Sequence, residues 1–245
     1  MENSHAPSSR EFDTTHWSLV MTAQSDEASR SSARKALEKL CRAYWYPLYA
    51  FVRHRGHSAT DAQDLTQSFF AKFIETSGFA SADRERGRFR TYLLGAMKHF
   101  LTNEWHRART AKRGGGMALL EWDALDPEAR YALEPVKMEN LDLSYDREWA
   151  LELIARTKNK LSAEAAASGK LELFEALKGS LSGDEPPRHE TAKRLGMNEG
   201  SIKAAVHRLR QRYRSLLRSE IAETVTTKAE IDEEMRHLVT VLRAR

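Results

Sequence analysis

Apolar residues recur along most of the chain at steps of three and four, the spacing of one face of an α-helix. In the first such segment the apolar face comprises Ala33, Leu37, Leu40, Cys41 and Tyr44. Pro47 allows a break or kink there, after which the pattern continues to Val52, and Gly56 is expected to end the helix. The first predicted element is therefore a long amphipathic helix.

Two more helices are predicted before residue 114. Ser58 and Asp61 have the spacing of a capping box, with Asp in place of Glu, and open a helix that Gly78 would close. Its aromatic residues, Phe69, Phe70 and Phe73, are expected in the core. The next helix follows a polar loop through Gly87 and ends before Gly114. For Trp105, near its end, we favour core packing over a role as a wedge in nucleic acid.

The segment 114–145 has no sustained helical period and is rich in acidic residues, which favours a linker between domains. A second helical block follows it. The sequence therefore predicts an all-α fold of two helical domains joined by an acidic linker, with boundaries at 1–113, 114–145 and 146–220. Ile231, Met235, Leu238 and Leu242 predict a further amphipathic helix in an extension, 221–245.

The most specific local pattern lies at 188–218. A short helix ending at Leu195 precedes Gly196, which suits a left-handed cap, and Asn198, which suits the N-cap of the next helix. This spacing predicts a DNA-binding helix-turn-helix. The alternative is a basic helical hairpin that packs on a partner protein.

Its second helix supplies two groups of candidate DNA ligands. Those nearer its start are expected at base edges or the groove wall, and the later ones at the phosphate backbone. The first group is Ser201, Lys203, His207 and Arg208, and the second is Arg210, Arg212 and Arg214.

The distribution of charge supports binding to nucleic acid. The 245 residues sum to only +4. Residues 84–113 contain nine basic and two acidic residues, 188–218 contain the same numbers, and 119–148 contain three basic and nine acidic residues. Two strongly basic segments are typical of phosphate binding.

Composition excludes several classes of protein. A single cysteine, Cys41, excludes a disulfide framework and a Cys-rich zinc site. No apolar run approaches the roughly 18 residues of a membrane span, and the first residues lack the apolar segment of a signal peptide. We therefore expect a cytoplasmic protein that contacts no membrane.

Taken together, the motifs resemble the sigma factors of bacterial RNA polymerase, specifically the extracytoplasmic-function (ECF) type with two structured domains. Four segments carry the resemblance: Tyr49 to Arg53, Asp61-Ala62-Gln63-Asp64-Leu65-Thr66-Gln67-Ser68-Phe69-Phe70, Gly87-Arg88-Phe89-Arg90-Thr91-Tyr92-Leu93-Leu94, and the predicted helix-turn-helix through His207-Arg208-Leu209-Arg210. They occur in the order that the family shows, across residues 12–113 and 146–218. The extension after residue 220 departs from the minimal family.

The resemblance implies roles for the first domain. The helix with the Asp-x-x-Asp-Leu-x-Gln pattern would dock on the β′ clamp helices of core RNA polymerase through Asp61, Asp64, Leu65 and Gln67. Both acidic residues could also serve only the positive end of their helix. The third helix and its preceding loop would bind the downstream promoter element, with a base pocket within 77–88. The downstream DNA ligands would be Arg88, Arg90, Lys98, His99, Asn103, His106, Arg107 and Arg109.

Further partners follow from the resemblance. They are promoter DNA, the β flap of the polymerase, and an anti-sigma factor or, in its place, regulation by the C-terminal extension. Residues 119–142 would either pass through the polymerase cleft as an acidic mimic of nucleic acid or form a plain solvated tether.

Two other classes of function were weighed. The sequence lacks a phosphate-binding loop, a nucleophile elbow and a His-Glu-x-x-His motif, so we expect no enzyme, no catalytic residue, no metal and no cofactor. The stronger alternative is a stand-alone helix-turn-helix repressor or activator that binds duplex DNA as a dimer.

Overall fold

The computed structural model describes residues 27–75, 88–110, 127–132, 140–225 and 227–243. Within these ranges the chain forms helices and no strand, which confirms the all-α prediction for them. None of these helices has both the length and the apolar composition of a membrane span. The α-helices are α1 (Glu27–His54), α2 (Ala59–Glu75), α3 (Phe89–Thr110), α4 (Pro127–Tyr131), α5 (Leu141–Ala167), α6 (Leu171–Leu177), α7 (Arg188–Leu195), α8 (Glu199–Ala222) and α9 (Lys228–Arg243), and a 3₁₀ turn (Lys178–Leu181) follows α6.

Helix α1 lies at the centre of the molecule. It runs without interruption through Pro47, where the sequence allowed a break. Its residues are buried all round from Ala43 to Val52, rather than on one face. A helix that is apolar on every side must be covered on every side, and α2 and α5 lie against it.

Aromatic side chains join α2 and α3 to this centre. Phe69 and Phe73 are buried as predicted, and the Phe69 ring packs 5.6 Å from that of Phe100 on α3. The expectation for Trp105 was wrong, because its side chain is 55% exposed. It lies one turn beyond the buried Leu101, at the wall of an open groove between α2 and α3.

The same buried cluster extends into segments that the sequence assigned to other domains. Tyr145 and Trp149 of α5, Leu217 of α8 and Leu238 of α9 all belong to it. The Tyr145 ring meets Phe51 of α1 edge to face at 6.4 Å. The core around α1 is therefore built from both halves of the chain.

A second, smaller cluster holds α6, α7 and the first half of α8 together. It contains Leu177, Ala192, Ile202, Ala205 and Val206. Helix α8 thus belongs to both clusters, the small one at its start and the large one at its end.

The last helix, α9, packs against α5 and α8. Ile231, Leu238 and Val241 are buried, whereas Met235 and Leu242 of the predicted stripe lie at its partly buried edge. Glu234 is also buried, with only 1% of its surface exposed. An acidic residue in this position requires a partner.

Helix α4 lies inside the segment predicted to be a linker and is attached to α1. The Glu128 carboxylate accepts hydrogen bonds from the Tyr49 hydroxyl at 2.5 Å and from Arg53 Nη2 at 2.7 Å. Arg130 stacks over the Tyr46 ring at 3.5 Å. Part of the acidic segment therefore packs on the core.

Candidate nucleic-acid interface

The turn between α7 and α8 is fixed by its two capping residues. Gly196 adopts a left-handed conformation, with φ +63°, which an L-residue with a side chain adopts only at a cost. The Met197 amide then bonds back to the Ala192 carbonyl at 2.9 Å, as in a Schellman motif. Asn198 Oδ1 accepts from the Ser201 amide at 2.7 Å and caps α8. These contacts set the angle at which α8 leaves α7.

The outer face of α8 presents several candidate ligands to solvent. Lys203, His207, Arg208 and Arg214 are exposed, and Ser201 is half-buried. None of these four exposed side chains makes a hydrogen bond or ion pair with another residue in the described ranges. Their charges and donors are therefore available to an external anion.

The other two predicted phosphate ligands of α8 are already paired. Arg210 Nη2 donates to the Ser180 carbonyl at 3.0 Å and to Glu185 at 3.1 Å. Arg212 donates two hydrogen bonds to the Glu164 carboxylate of α5, from Nε at 2.8 Å and from Nη2 at 2.5 Å. The hydrogen bond from Arg212 lowers the pKa of the Glu164 carboxyl. The Nε and Nη2 donors of both arginines are therefore already engaged within the fold.

The exposed side of α3 carries part of the downstream set. His99, Asn103 and His106 are exposed at helical spacing, and the His106 ring meets that of Trp105 at 5.0 Å. Lys98 pairs with Asp142 of α5 at 2.7 Å. The side chains of Arg107 and Arg109, and residues 77–87 of the predicted base pocket, lie outside the described residues.

The two arginines at the start of α3 are engaged by acidic residues far along the chain. Arg90 is buried among Asp146, Glu234 at 3.3 Å, and the Trp149 ring at 4.9 Å. Arg88 donates from Nε to Glu234 at 2.8 Å and from Nη2 to Glu233 at 2.5 Å. The sequence predicted both arginines as DNA ligands and contained no signal for partners more than a hundred residues away.

Three of the four predicted docking residues line a groove between α2 and α3. Asp61 and Asp64 are exposed, and Leu65 is half-buried beside them. The groove has a volume of about 640 Å³, and Leu101 and Trp105 line its opposite wall. Gln67 is half-buried and is not part of this lining.

Asp61 also has a local structural role. Its amide donates to Ser58 Oγ at 3.1 Å, and Ser58 Oγ donates to the Asp61 carboxylate at 2.7 Å. This is the capping interaction that the sequence indicated. Asp64 has no role in that cap, so it is the better residue with which to test the groove.

Among the described residues no cluster of three or more His, Cys, Asp or Glu side chains could hold a metal ion. In comparisons with known proteins, no family model, no curated protein and no solved structure matches the chain.

Proposed function

We propose that the chain is a sigma factor of the ECF type, which binds core RNA polymerase and directs promoter recognition, DNA melting and the start of transcription. One observation carries the proposal. A capped turn precedes α8, and on the outer face of α8 the side chains of Lys203, His207 and Arg208 are exposed and form no ion pair within the described ranges. The resemblance of the four sequence segments supplies the identity of the partner.

In this proposal α7, the turn and α8 form a helix-turn-helix for the upstream promoter element. The start of a recognition helix enters the major groove, and its side chains meet base edges there. Ser201, Lys203, His207 and Arg208 occupy that part of α8, and Arg214 follows at the position of a backbone contact. Arg210 and Arg212 support the orientation of α8 through Glu185 and Glu164 rather than bind DNA directly.

The exposed side of α3 would receive the displaced single strand. Imidazole and amide groups can contact unstacked bases, and neighbouring cations bind the phosphates. His99, Asn103 and His106 supply such groups.

The groove between α2 and α3 would receive the polymerase. Two exposed carboxylates above an apolar wall of Leu65, Leu101 and Trp105 complement a helix that carries both basic and apolar side chains. The β′ clamp helices are the partner that the sequence resemblance implies.

The test is transcription in a purified system. Core RNA polymerase from the source organism would be incubated with fragmented genomic DNA, with and without the chain, and the 5′ ends of the RNA would be mapped. We expect defined start sites that depend on the chain, and co-purification of the chain with the core enzyme. Binding to duplex DNA as a dimer, without binding to the core enzyme, would instead establish the repressor or activator alternative.

A further inference from the structure

The start of α3 is enclosed by residues from the end of the chain. Glu233 and Glu234 of α9 hold Arg88, and Glu234 also holds Arg90. The Phe89 amide lies 3.4 Å from the Thr224 carbonyl, at the junction of α8 and α9. Side chains and backbone of one distant segment therefore meet Arg88, which precedes α3, and the first two residues of α3.

These contacts occupy the donors that a phosphate would use. A guanidinium binds a carboxylate and a phosphate with the same planar set of N–H groups. Arg88 directs Nε to one carboxylate of α9 and Nη2 to the next. The side of the guanidinium formed by Nε and Nη2 is therefore occupied, and a phosphate that binds to this side through both nitrogens must displace α9 carboxylates from Arg88.

The two arginines differ in how easily this exchange could occur. Arg90 is 6% exposed and also binds Asp146 of α5, so it is fixed inside the fold. The Arg88 side chain is 27% exposed and that of Glu233 is 49% exposed. Because a solvent-exposed ion pair is weak, the Arg88–Glu233 contact is the point at which a competitor can enter.

We propose that α9 is an intramolecular competitor of nucleic acid, whose carboxylates occupy the phosphate-binding donors of Arg88 in the free protein. The inference rests on the proposed sigma-factor function, in which the sequence resemblance makes Arg88 a ligand of the downstream promoter element, and it gives the C-terminal extension a regulatory role. Phosphate binding through Nε and Nη2 of Arg88 and the α9 contact are then mutually exclusive.

Two matched variants of the full chain test the proposal. Glu233→Gln removes the exposed partner of Arg88. Asp232→Asn removes the same charge from the neighbouring residue of α9, whose ion pair at 2.7 Å is with Arg218 of α8. Both carboxylates are exposed, so both variants should retain the fold, as checked by thermal unfolding.

The measurement is the affinity for a fluorescein-labelled single-stranded DNA 20-mer, by fluorescence anisotropy across a range of salt concentrations. We expect Glu233→Gln to bind about twofold to fivefold more tightly than Asp232→Asn, which is the range that one exposed ion pair supplies. The slope of the logarithm of affinity against the logarithm of salt concentration should become more negative by up to about 0.7, the value expected for one added phosphate contact. Adding Arg88→Ala to Glu233→Gln should abolish the gain.

Equal affinities for Glu233→Gln and Asp232→Asn would overturn the proposal, because only total charge would then matter. A gain that persists after Arg88→Ala would also overturn it. Neither result decides the proposed function, which depends on binding to core polymerase and on the mapped start sites. If the unmutated chain directed core polymerase to no defined start sites, the sigma-factor proposal would be refuted, and the measured competition at Arg88 would not be affected.

Discussion

At the scale of single residues, pairing within the chain divides the basic side chains of α8 into two kinds. Arg208 is exposed and has no ion-pair partner in the described ranges, whereas Arg212, four residues later, is held by Glu164 at 2.5 Å. Both side chains are exposed, so exposure does not separate them. Because Nε and Nη2 of Arg212 are engaged with Glu164 and those of Arg208 have no partner in the described ranges, Arg208 is the stronger candidate reader of bases.

We predict that Arg208→Ala weakens use of the upstream promoter element by about 1–3 kcal/mol, the contribution of a bidentate contact with a base. The measurement is transcription from a set of promoters with single substitutions in that element. Arg212→Ala is the control and should cost less, since Arg212 is engaged with Glu164. An equal loss on every sequence variant would mean that Arg208 contacts phosphate rather than a base.

A second prediction concerns the groove between α2 and α3. Asp64→Arg should abolish binding to core polymerase, because it places a positive charge where the groove presents a carboxylate to a basic partner. Gln63→Arg adds the same side chain at the adjacent exposed position, which does not line the groove, and should leave binding intact. The measurement is co-purification of each full-length variant with the core enzyme. Retained binding by Asp64→Arg would remove the docking assignment.

The sequence predicted those residues whose environment is local. Gly196 and Asn198 act on amides within five residues of themselves, so their spacing alone identified the turn. Arg88 and Arg90 could not be placed in the same way. Their partners on α9 lie 144 and 145 residues away, and only the packing of the whole chain brings them together.

At the scale of elements, the geometry of the turn between α7 and α8 depends on one glycine. We predict that Gly196→Ala destabilises the protein by about 1 kcal/mol, because φ is +63° there. Gly95→Ala, in the middle of α3, is the matched control. A methyl group at Gly95 would meet no atom within 4 Å, so Gly95→Ala should stabilise the protein by about 0.5–1 kcal/mol. Thermal unfolding of the two variants measures whether each substitution lowers or raises the stability of the protein. Stabilisation by both substitutions would contradict the prediction.

It was harder to predict from the sequence which surfaces of a helix are buried by neighbouring helices than to predict that the helix exists. The apolar spacing identified the segment of α1, but periodicity on one face could not show that neighbours surround it. Trp105 is the converse case. It continues the apolar pattern of α3, yet its side chain is 55% exposed at one wall of the groove between α2 and α3. Which surfaces are covered depends on how distant helices pack.

At the scale of the whole molecule, acidic segments neutralise part of the basic ones. Lys98 pairs with Asp142, Arg90 with Asp146, and Arg88 with Glu233. The positive charge of residues 84–113 is therefore partly matched within the fold, whereas the exposed face of α8 keeps its charge. The small net charge of +4 conceals this difference.

The contact between α4 and α1 should make stability depend on pH. Hydrogen bonds from Arg53 and then Tyr49 hold the pKa of Glu128 below its usual range. A depressed folded-state pKa stabilises the protein above the unfolded pKa of about 4.3, and this stabilisation is lost as the pH falls through the folded value. Glu128→Gln should therefore lower the free energy of unfolding at pH 7 by about 1 kcal/mol or less, since the carboxylate is 39% exposed.

The same change should have a smaller effect as the pH falls through the depressed pKa of Glu128, because the unmutated carboxyl then becomes protonated as well. Urea unfolding of both proteins at several values from pH 7 to pH 3 measures the difference. Tyr49→Phe removes one of the two donors while retaining Arg53, so its pH dependence should lie between those of the unmutated chain and Glu128→Gln. A loss of stability that is independent of pH would mean that packing, and not the charge of Glu128, attaches α4 to the core.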